Sequence, residues 1–306
     1  MKEKILIFTA TYNEAQNIGL FLNLIDKLDI EKDILIIDDN SPDGTAEKIK
    51  EFSKNKNNIH LKIRAKKLGL DSAHKLGFKY AKEKKYDYLI TMDSDLSHDP
   101  LIIPSFINEL KNKEFVIGSR YMEGGKCGMV GLRLLLSYCA NKFIKYIFKI
   151  NCNEFTTSYR GFNLKKLKDF DLNEVHSGGY SFFMDTIYQL DKRGFFIKEI
   201  PIHFKDRIKG TSKISKIEIF RTFYNIFKIK LREIFWFYTL LKYFFKKKTE
   251  IKINKKPKIG KEIPGSFASS NKVGILVFVV TMFSIPSPKD TKTKILGRIP
   301  INVPKK

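Results

Sequence analysis

The chain has 306 residues, enough for one large domain or two small ones around a sizeable core. A hydrophobic content of 43% with 13% aromatics fits a folded protein. The formal net charge of +24 favours anionic partners such as nucleic acid, phosphorylated lipid or an anionic membrane surface. The charge is uneven: residues 246–306 carry 15 Lys/Arg against 3 Asp/Glu, half of the whole excess. Cys127, Cys139 and Cys152 lack metal-ligand spacing, and the first residues form no apolar leader. Both features predict ordinary thiols in a reducing, cytoplasmic setting. No apolar run reaches the roughly 20 residues that span a bilayer; the nearest, residues 273–285, ends at Pro286.

In chain order, residues 4–9 read as a buried first strand, and Ile18, Phe21, Leu22, Ile25 and Leu28 mark a helix at three-to-four spacing. Residues 34–37 form a second strand, ending in the turn-rich Asp38-Asp-Asn-Ser-Pro-Asp-Gly-Thr45. A third strand at 59–64 leads to a helix through Ala73, Leu76, Tyr80 and Ala81, with Asp71 as its expected N-cap. Residues 88–92 are the fourth strand. Four strand–helix alternations predict an α/β fold with a mostly parallel, helix-covered sheet. Beyond it come a strand at 115–118 and a glycine-rich loop around Gly124, Gly125 and Gly128. A basic amphipathic helix from about Leu132 to Phe148 follows, then strands at 156–162 and 196–204 around a helix ending at Lys192.

Each early strand ends in polar residues: Tyr12 and Glu14, then Asp39, then Arg64 and Lys66, then Asp93 and Asp95. Ligands of open α/β sheets bind at the carboxyl ends of the strands. Mg²⁺ takes one or two carboxylates together with substrate phosphates. Asp93-Ser94-Asp95 therefore reads either as a metal-diphosphate site or as a solvated turn. No Gly-x-Gly-x-x-Gly or Walker pattern is present. His98 reads as a turn residue, Asp43 as a cap of its own loop, and Asp38 as a cap of the next helix.

Seven motifs occur in one order over residues 4–215: Thr11-Tyr-Asn-Glu14, Asp38 to Thr45, Met92-Asp-Ser-Asp-Leu-Ser-His98, Gly118-Ser-Arg-Tyr121 with Gly124-Gly125, Arg133 with Ser137, Glu199-Ile-Pro-Ile202, and Asp206-Arg207 through Ser212-Lys213. On these the chain resembles the inverting family 2 glycosyltransferases of GT-A fold, within them the polyprenol-phosphate (dolichol-phosphate) mannose synthases. The resemblance implies a mannosyl transfer from GDP-mannose to a dolichyl or undecaprenyl phosphate, giving a polyprenyl phosphate β-mannose. It implies a donor site of Ala10, Tyr12, Glu14, Ile37, Asp39, Asp93, Ser94, Arg207 and Lys213. A divalent metal, Mg or Mn, would sit on Asp93 and Asp95 with Ser97 as a further oxygen. Arg120, Arg133 and Ser137 would receive the acceptor phosphate, making Asp95, Arg120 and Arg133 the catalytic set. Four positions depart from the family pattern: Ala10 for proline, Asp185 for glutamate, Asn153-Glu154 for the usual aspartate, and Gly131-Leu132 without an aromatic before Arg133.

Residues 1–215 are thus expected to form the catalytic domain. Residues 216–248, with an aromatic face and basic flanks, read as a membrane-interface helix or as one packed on that domain. Residues 249–306 hold six of the ten prolines and read as a basic, largely disordered extension. The expected location is peripheral, on the cytoplasmic face of a membrane, with residues 273–285 open to an anchoring subunit. Two other readings stand beside this one. One keeps the fold with a UDP-glucose-type donor or a saccharide acceptor in envelope glycan synthesis; the other, a nucleic-acid-binding role, fits the charge but has no recognisable motif and is not expected.

Overall fold

The computed structural model describes residues 3–205, 222, 224–233, 235, 238, 239 and 242. Arg207, Lys213, most of the expected interface helix and all of 249–306 lie outside the described residues. Two compact units are distinguished, residues 1–228 and 229–306.

In the first unit, strands and helices alternate as the hydrophobic periodicity requires. They are β1 (Ile5–Thr11), α1 (Ile18–Asp26), β2 (Asp33–Asp38), α2 (Thr45–Ser53), β3 (Ile59–Ile63), α3 (Leu70–Glu83), β4 (Tyr88–Thr91) and α4 (Ile103–Leu110). Then follow β5 (Phe115–Ser119), β6 (Lys126–Cys127), α5 (Gly131–Phe148), β7 (Arg160–Asn163), α6 (Ser181–Lys192), β8 (Ile197–Pro201) and β9 (His203–Phe204). Seven strands make one sheet in the order β3-β2-β1-β4-β7-β5-β8, and β6 pairs with β9 in a small second sheet.

Successive side chains of a strand point to opposite faces, and here both faces are apolar. Ile5, Ile7, Ile34, Ile36 and Ile90 pack with Phe21, Leu22 and Ile25 of α1 and Phe106 and Leu110 of α4. On the opposite face Phe8 meets His74 of α3 at 5.1 Å, and Phe162 meets Phe78 of α3 at 5.5 Å. A Cβ at position 77 would come within 2.8 Å of the Phe8 ring, so glycine is what allows α3 to lie this close. Burying each such Leu, Ile or Phe contributes roughly 1.5–3 kcal/mol, which is why a double-sided sheet needs nearly unbroken apolar strands.

Four local expectations are corrected. Strand β7 is antiparallel to both β4 and β5. It begins at Arg160, since side chains take three carbonyls of the preceding segment: the Arg160 guanidinium donates to those of Phe155 and Thr157, and the Thr91 hydroxyl to that of Ser158. The strand expected at 196–204 is split at Ile202, where the chain leaves the large sheet for the small one. Asp71 is not the cap of α3. Gly69, at φ 95°, takes that position, and the Asp71 carboxylate accepts from the Gly179 N–H instead. Asp38 likewise does not cap α2. It accepts the Thr11 hydroxyl, the Ser41 hydroxyl and the Ser41 N–H, tying the ends of β1 and β2 together.

Residues 222 and 224–228 of the first unit are helical; in the second unit 229–233, 235, 238, 239 and 242 are helical. Among the described residues, no helix is long and apolar enough to cross a membrane.

Candidate active site

Strands β4 and β5 both run antiparallel to β7, and β1, β2, β3 and β4 are mutually parallel, as are β5 and β8. Every strand of the large sheet except β7 therefore delivers its carboxyl end to one edge. Nearly all the described site residues expected from the sequence lie along that edge or in the loops leaving it.

At the β1–β2 end, Ala10 and Ile37 are register partners. The loop beyond them is closed by side chains: Asp43 accepts from the Ala15 and Thr45 N–H groups and from the Thr45 hydroxyl at 2.5 Å. Burial would raise the Asp43 carboxyl, but these bonds outweigh it and hold it below the ordinary range. The loop-capping reading of Asp43 therefore stands. The Glu14 N–H donates to Thr45 Oγ1 at 3.0 Å, fixing the start of the Glu14 turn. Asp39 is buried and ion-paired with Arg64, and it accepts the N–H groups of Leu68 and Gly69 at 3.1 and 3.2 Å. Arg64 also donates to Ser72 Oγ and to the Gly69 carbonyl, and Lys67 Nζ lies 4.0 Å over the Tyr12 ring. The sequence placed Arg64 at this edge but gave no sign of its pairing with Asp39, since 25 residues separate them.

At the end of β4, Asp93 is the more open carboxylate, its side chain 37% exposed, while Ser94 and Asp95 are buried. Asp95 Oδ1 accepts both the N–H and the hydroxyl of Ser97, at 3.1 and 2.6 Å. Ser97 thus holds one oxygen of Asp95. His98 is buried and its Nδ1 faces the Asp93 N–H; burial, the dominant influence, keeps the imidazole pKa low despite the neighbouring carboxylates. Among the described residues, no group of three or more His, Cys, Asp or Glu side chains forms a metal cage. Two hard carboxylates at the carboxyl edge of the sheet are a donor set suited to a divalent cation whose other ligands are phosphate oxygens and water. Asp93 and Asp95 fit such an ion.

At the end of β5, Arg120 is 8% exposed and clamped by Glu154. Its Nε and Nη2 donate to the two carboxylate oxygens at 2.6 and 2.7 Å, and Nη2 also to Thr156 Oγ1 at 2.8 Å. Burial alone would raise the Glu154 carboxyl; the Arg120 guanidinium beside it overrides this and holds it below its usual range. Gly125 lies against this arginine: a Cβ there would meet the Ser119 carbonyl at 2.5 Å and the Arg120 carbonyl carbon at 2.8 Å. The sequence marked Glu154 only as a departure from the family pattern, and its part as the arginine's counter-ion went unread.

Helix α5 brings Arg133, Ser137, Asn141 and Lys145 to one stripe, since residues four apart are neighbours on a helix. Ser137 Oγ accepts the Tyr121 hydroxyl at 2.8 Å, Asn141 Oδ1 accepts the Phe155 N–H at 2.7 Å, and Lys145 reaches Asn153 Oδ1 at 2.8 Å. The polar stripe faces the protein. The outer stripe is Leu132, Leu136, Phe143 and Tyr146, with Leu135 beside it, and all five are exposed, Tyr146 by 81%. The protein-facing side of α5 also buries Ile144 and Phe148 beside Asn141, so the helix is apolar on both sides, with its polar groups between. Asp185 is buried in α6, where it accepts the Ser177 N–H and the Gln189 amide, so it braces the turn before its own helix.

A sheet wound on both faces, with a nucleotide-sized edge that closes on Asp93-x-Asp95, defines a GT-A glycosyltransferase. The chain belongs to glycosyl transferase family 2, whose profile matches residues 6–170. It is 33% identical over 215 residues to an undecaprenyl-phosphate mannosyltransferase of Micrococcus luteus, covering 69% of this chain and 88% of that one. It is 31% identical over 227 residues to a polyprenol monophosphomannose synthase of Mycolicibacterium smegmatis, covering 73% and 86%. Among solved structures, a glucosyl-3-phosphoglycerate synthase of Mycobacterium tuberculosis in complex with uridine-diphosphate shares the fold. Its TM-score is 0.50 at 14% identity, over 71% of this chain and 75% of that one.

Proposed function

We propose that the protein transfers mannose from GDP-mannose to a polyprenyl phosphate, with inversion, at a membrane surface. The observation that carries this reading is the exposed apolar stripe of helix α5. The helix sets an inward stripe with Arg133 and Ser137, suited to an anionic head group, back to back with an outward apolar stripe suited to the lipid that bears it. The two curated relatives are named for mannosyl transfer or phosphomannose synthesis on such lipids.

In this reading the edge of β1 and β2, with Ala10, Tyr12, Glu14, Ile37 and Asp39, receives the nucleotide. Asp39 has to share its carboxylate between Arg64 and the base or ribose. Asp93 and Asp95 hold a divalent ion, which when bound supplies Lewis-acid neutralisation of charge on the leaving diphosphate. Arg207 and Lys213, which lie outside the described residues, would add positive charge to the same group. A phosphate monoester is already ionised near neutral pH, so the acceptor needs orienting rather than deprotonating. Glu154 engages Nε and Nη2 of Arg120, so the acceptor phosphate meets Nη1, with Arg133 and Ser137 on its other side. Single displacement at the anomeric carbon then inverts an α donor to a β product.

The deciding experiment offers GDP-mannose, UDP-glucose and UDP-N-acetylglucosamine in parallel to a short polyprenyl phosphate with Mg²⁺ or Mn²⁺. Polyprenyl phosphate mannose is expected as the product; transfer from a UDP-sugar alone, or no transfer to the lipid from any of the three donors, overturns the assignment. The membrane part is tested separately. A leucine buried at the acyl boundary contributes roughly 1.5–3 kcal/mol. Leu135→Asp and Tyr146→Asp are therefore each expected to weaken flotation with anionic vesicles by about tenfold or more. Unchanged flotation of both variants would remove α5 from the membrane surface.

A further inference from the structure

The metal-loop carboxylates sit on a turn that its own sequence does not favour. Between Asp95 and Ser97 the chain passes through Leu96 at φ 65°, a left-handed conformation that a leucine adopts at a cost. Asp95 Oδ1 closes this turn from within through the Ser97 N–H and hydroxyl, and a second set of bonds ties the loop to a distant segment. His98 Nδ1 lies 3.2 Å from the Asp93 backbone nitrogen. A backbone N–H can only donate, so Nδ1 must present its lone pair and the ring proton must sit on Nε2. Nε2 in turn lies 3.2 Å from Thr157 Oγ1, which accepts that proton in a hydrogen bond. The ring is gripped between Tyr159 at 5.1 Å and Phe204 at 5.6 Å, and is 2% exposed. Its tautomer and its plane are thus both fixed.

The far end of this link is equally constrained. Thr157 Oγ1 also accepts the Tyr159 N–H, and the Thr157 carbonyl accepts Arg160 Nε at 2.8 Å. Arg160 Nη2 holds the Phe155 carbonyl, and Glu154, one residue earlier, holds Arg120. The segment 154–160 therefore clamps the arginine at the end of β5 and, through one imidazole, the main chain of the aspartate at the end of β4.

We propose that His98 is a positioning residue: through Thr157 it locks the backbone of Asp93, and so sets the geometry in which Asp93 and Asp95 hold a divalent cation. This rests on the metal reading of the two aspartates. It assigns His98 neither to the metal nor to any proton transfer.

Asparagine and glutamine separate the two ring nitrogens. His98→Asn keeps an acceptor near the place of Nδ1, whereas His98→Gln keeps a polar group near Nε2 and loses the Asp93 bond. Mn²⁺ binding is measured by calorimetry on the full-length protein with GDP present, alongside thermal melting of each variant. Groups that orient metal ligands typically contribute 10- to 100-fold in affinity. His98→Gln is expected to weaken Mn²⁺ by about that factor, His98→Asn by less than about fivefold, and Thr157→Val by an intermediate amount that Thr157→Ser restores. Equal Mn²⁺ affinity in the Asn and Gln variants overturns the proposal. So does a Gln variant whose melting temperature falls while its Mn²⁺ affinity holds, which would make His98 scaffold only. A wild-type protein that binds no Mn²⁺ beside GDP overturns the metal reading itself, and the inference with it.

Discussion

Asp95→Asn is expected to abolish sugar transfer while leaving the fold intact. The amide oxygen can still accept the Ser97 N–H and hydroxyl that hold Asp95 Oδ1, so the turn keeps its shape and only the charge is lost. That charge is asked to hold the ion that neutralises the leaving diphosphate. Its removal is expected to lower kcat/KM by at least about a thousandfold, ~4 kcal/mol of transition-state stabilisation. The measurement is transfer from GDP-mannose to a short polyprenyl phosphate, with a melting curve to confirm folding. Turnover by the variant within tenfold of wild type, or wild-type turnover that survives chelation, would dismiss a metal on Asp95.

The second large effect is on stability. Glu154→Gln leaves the Arg120 guanidinium buried against a neutral amide, and breaking a buried ion pair by removing one partner costs about 3–5 kcal/mol. For a domain of this size that corresponds to a fall in Tm of roughly 6–20 °C. The pair also sets an acid limit. The Glu154 carboxyl is lowered in the folded protein, so its contribution is complete above the unfolded value of 4.5 and fades as pH falls through the lower folded value. Wild type should lose that increment in acid, and the Gln variant, having no charge there, should show a flatter profile over the same window. Replacing both members, Glu154→Leu with Arg120→Met, is expected to recover much of the stability. It should not recover transfer, which in the proposed reading depends on Arg120. A Tm for Glu154→Gln within 2 °C of wild type would mean the cleft is wetter than its burial implies.

Much of this was legible in the sequence because it is local. Strands buried on both faces show as unbroken apolar runs, so Ile5–Phe8 and Ile34–Ile37 reveal a covered sheet directly. Carboxylates that follow such a run, such as Asp39 and Asp93, have to fall at its edge. Pairings across the chain leave no comparable trace. Glu154 meets Arg120 across 34 residues, His98 meets Thr157 across 59, and nothing in either neighbourhood names the partner. The antiparallel course of β7 is equally silent, since an apolar strand reads the same in both directions. Asp71 shows the opposite failure: its residue type suits a helix cap, but the glycine two positions earlier takes the turn and frees the carboxylate for a long-range bond.

The left-handed turn at Leu96 has one more consequence. The leucine side chain is buried in the same cluster as α1 and α4, which offsets the ~1–2 kcal/mol that its backbone costs. The backbone torsions of the loop that carries both aspartates are therefore settled when the domain folds, not when a ligand arrives. In the proposed reading, a nucleotide sugar entering this edge meets carboxylates already in place and orders few further backbone torsions, so little of its binding free energy is lost to conformational entropy.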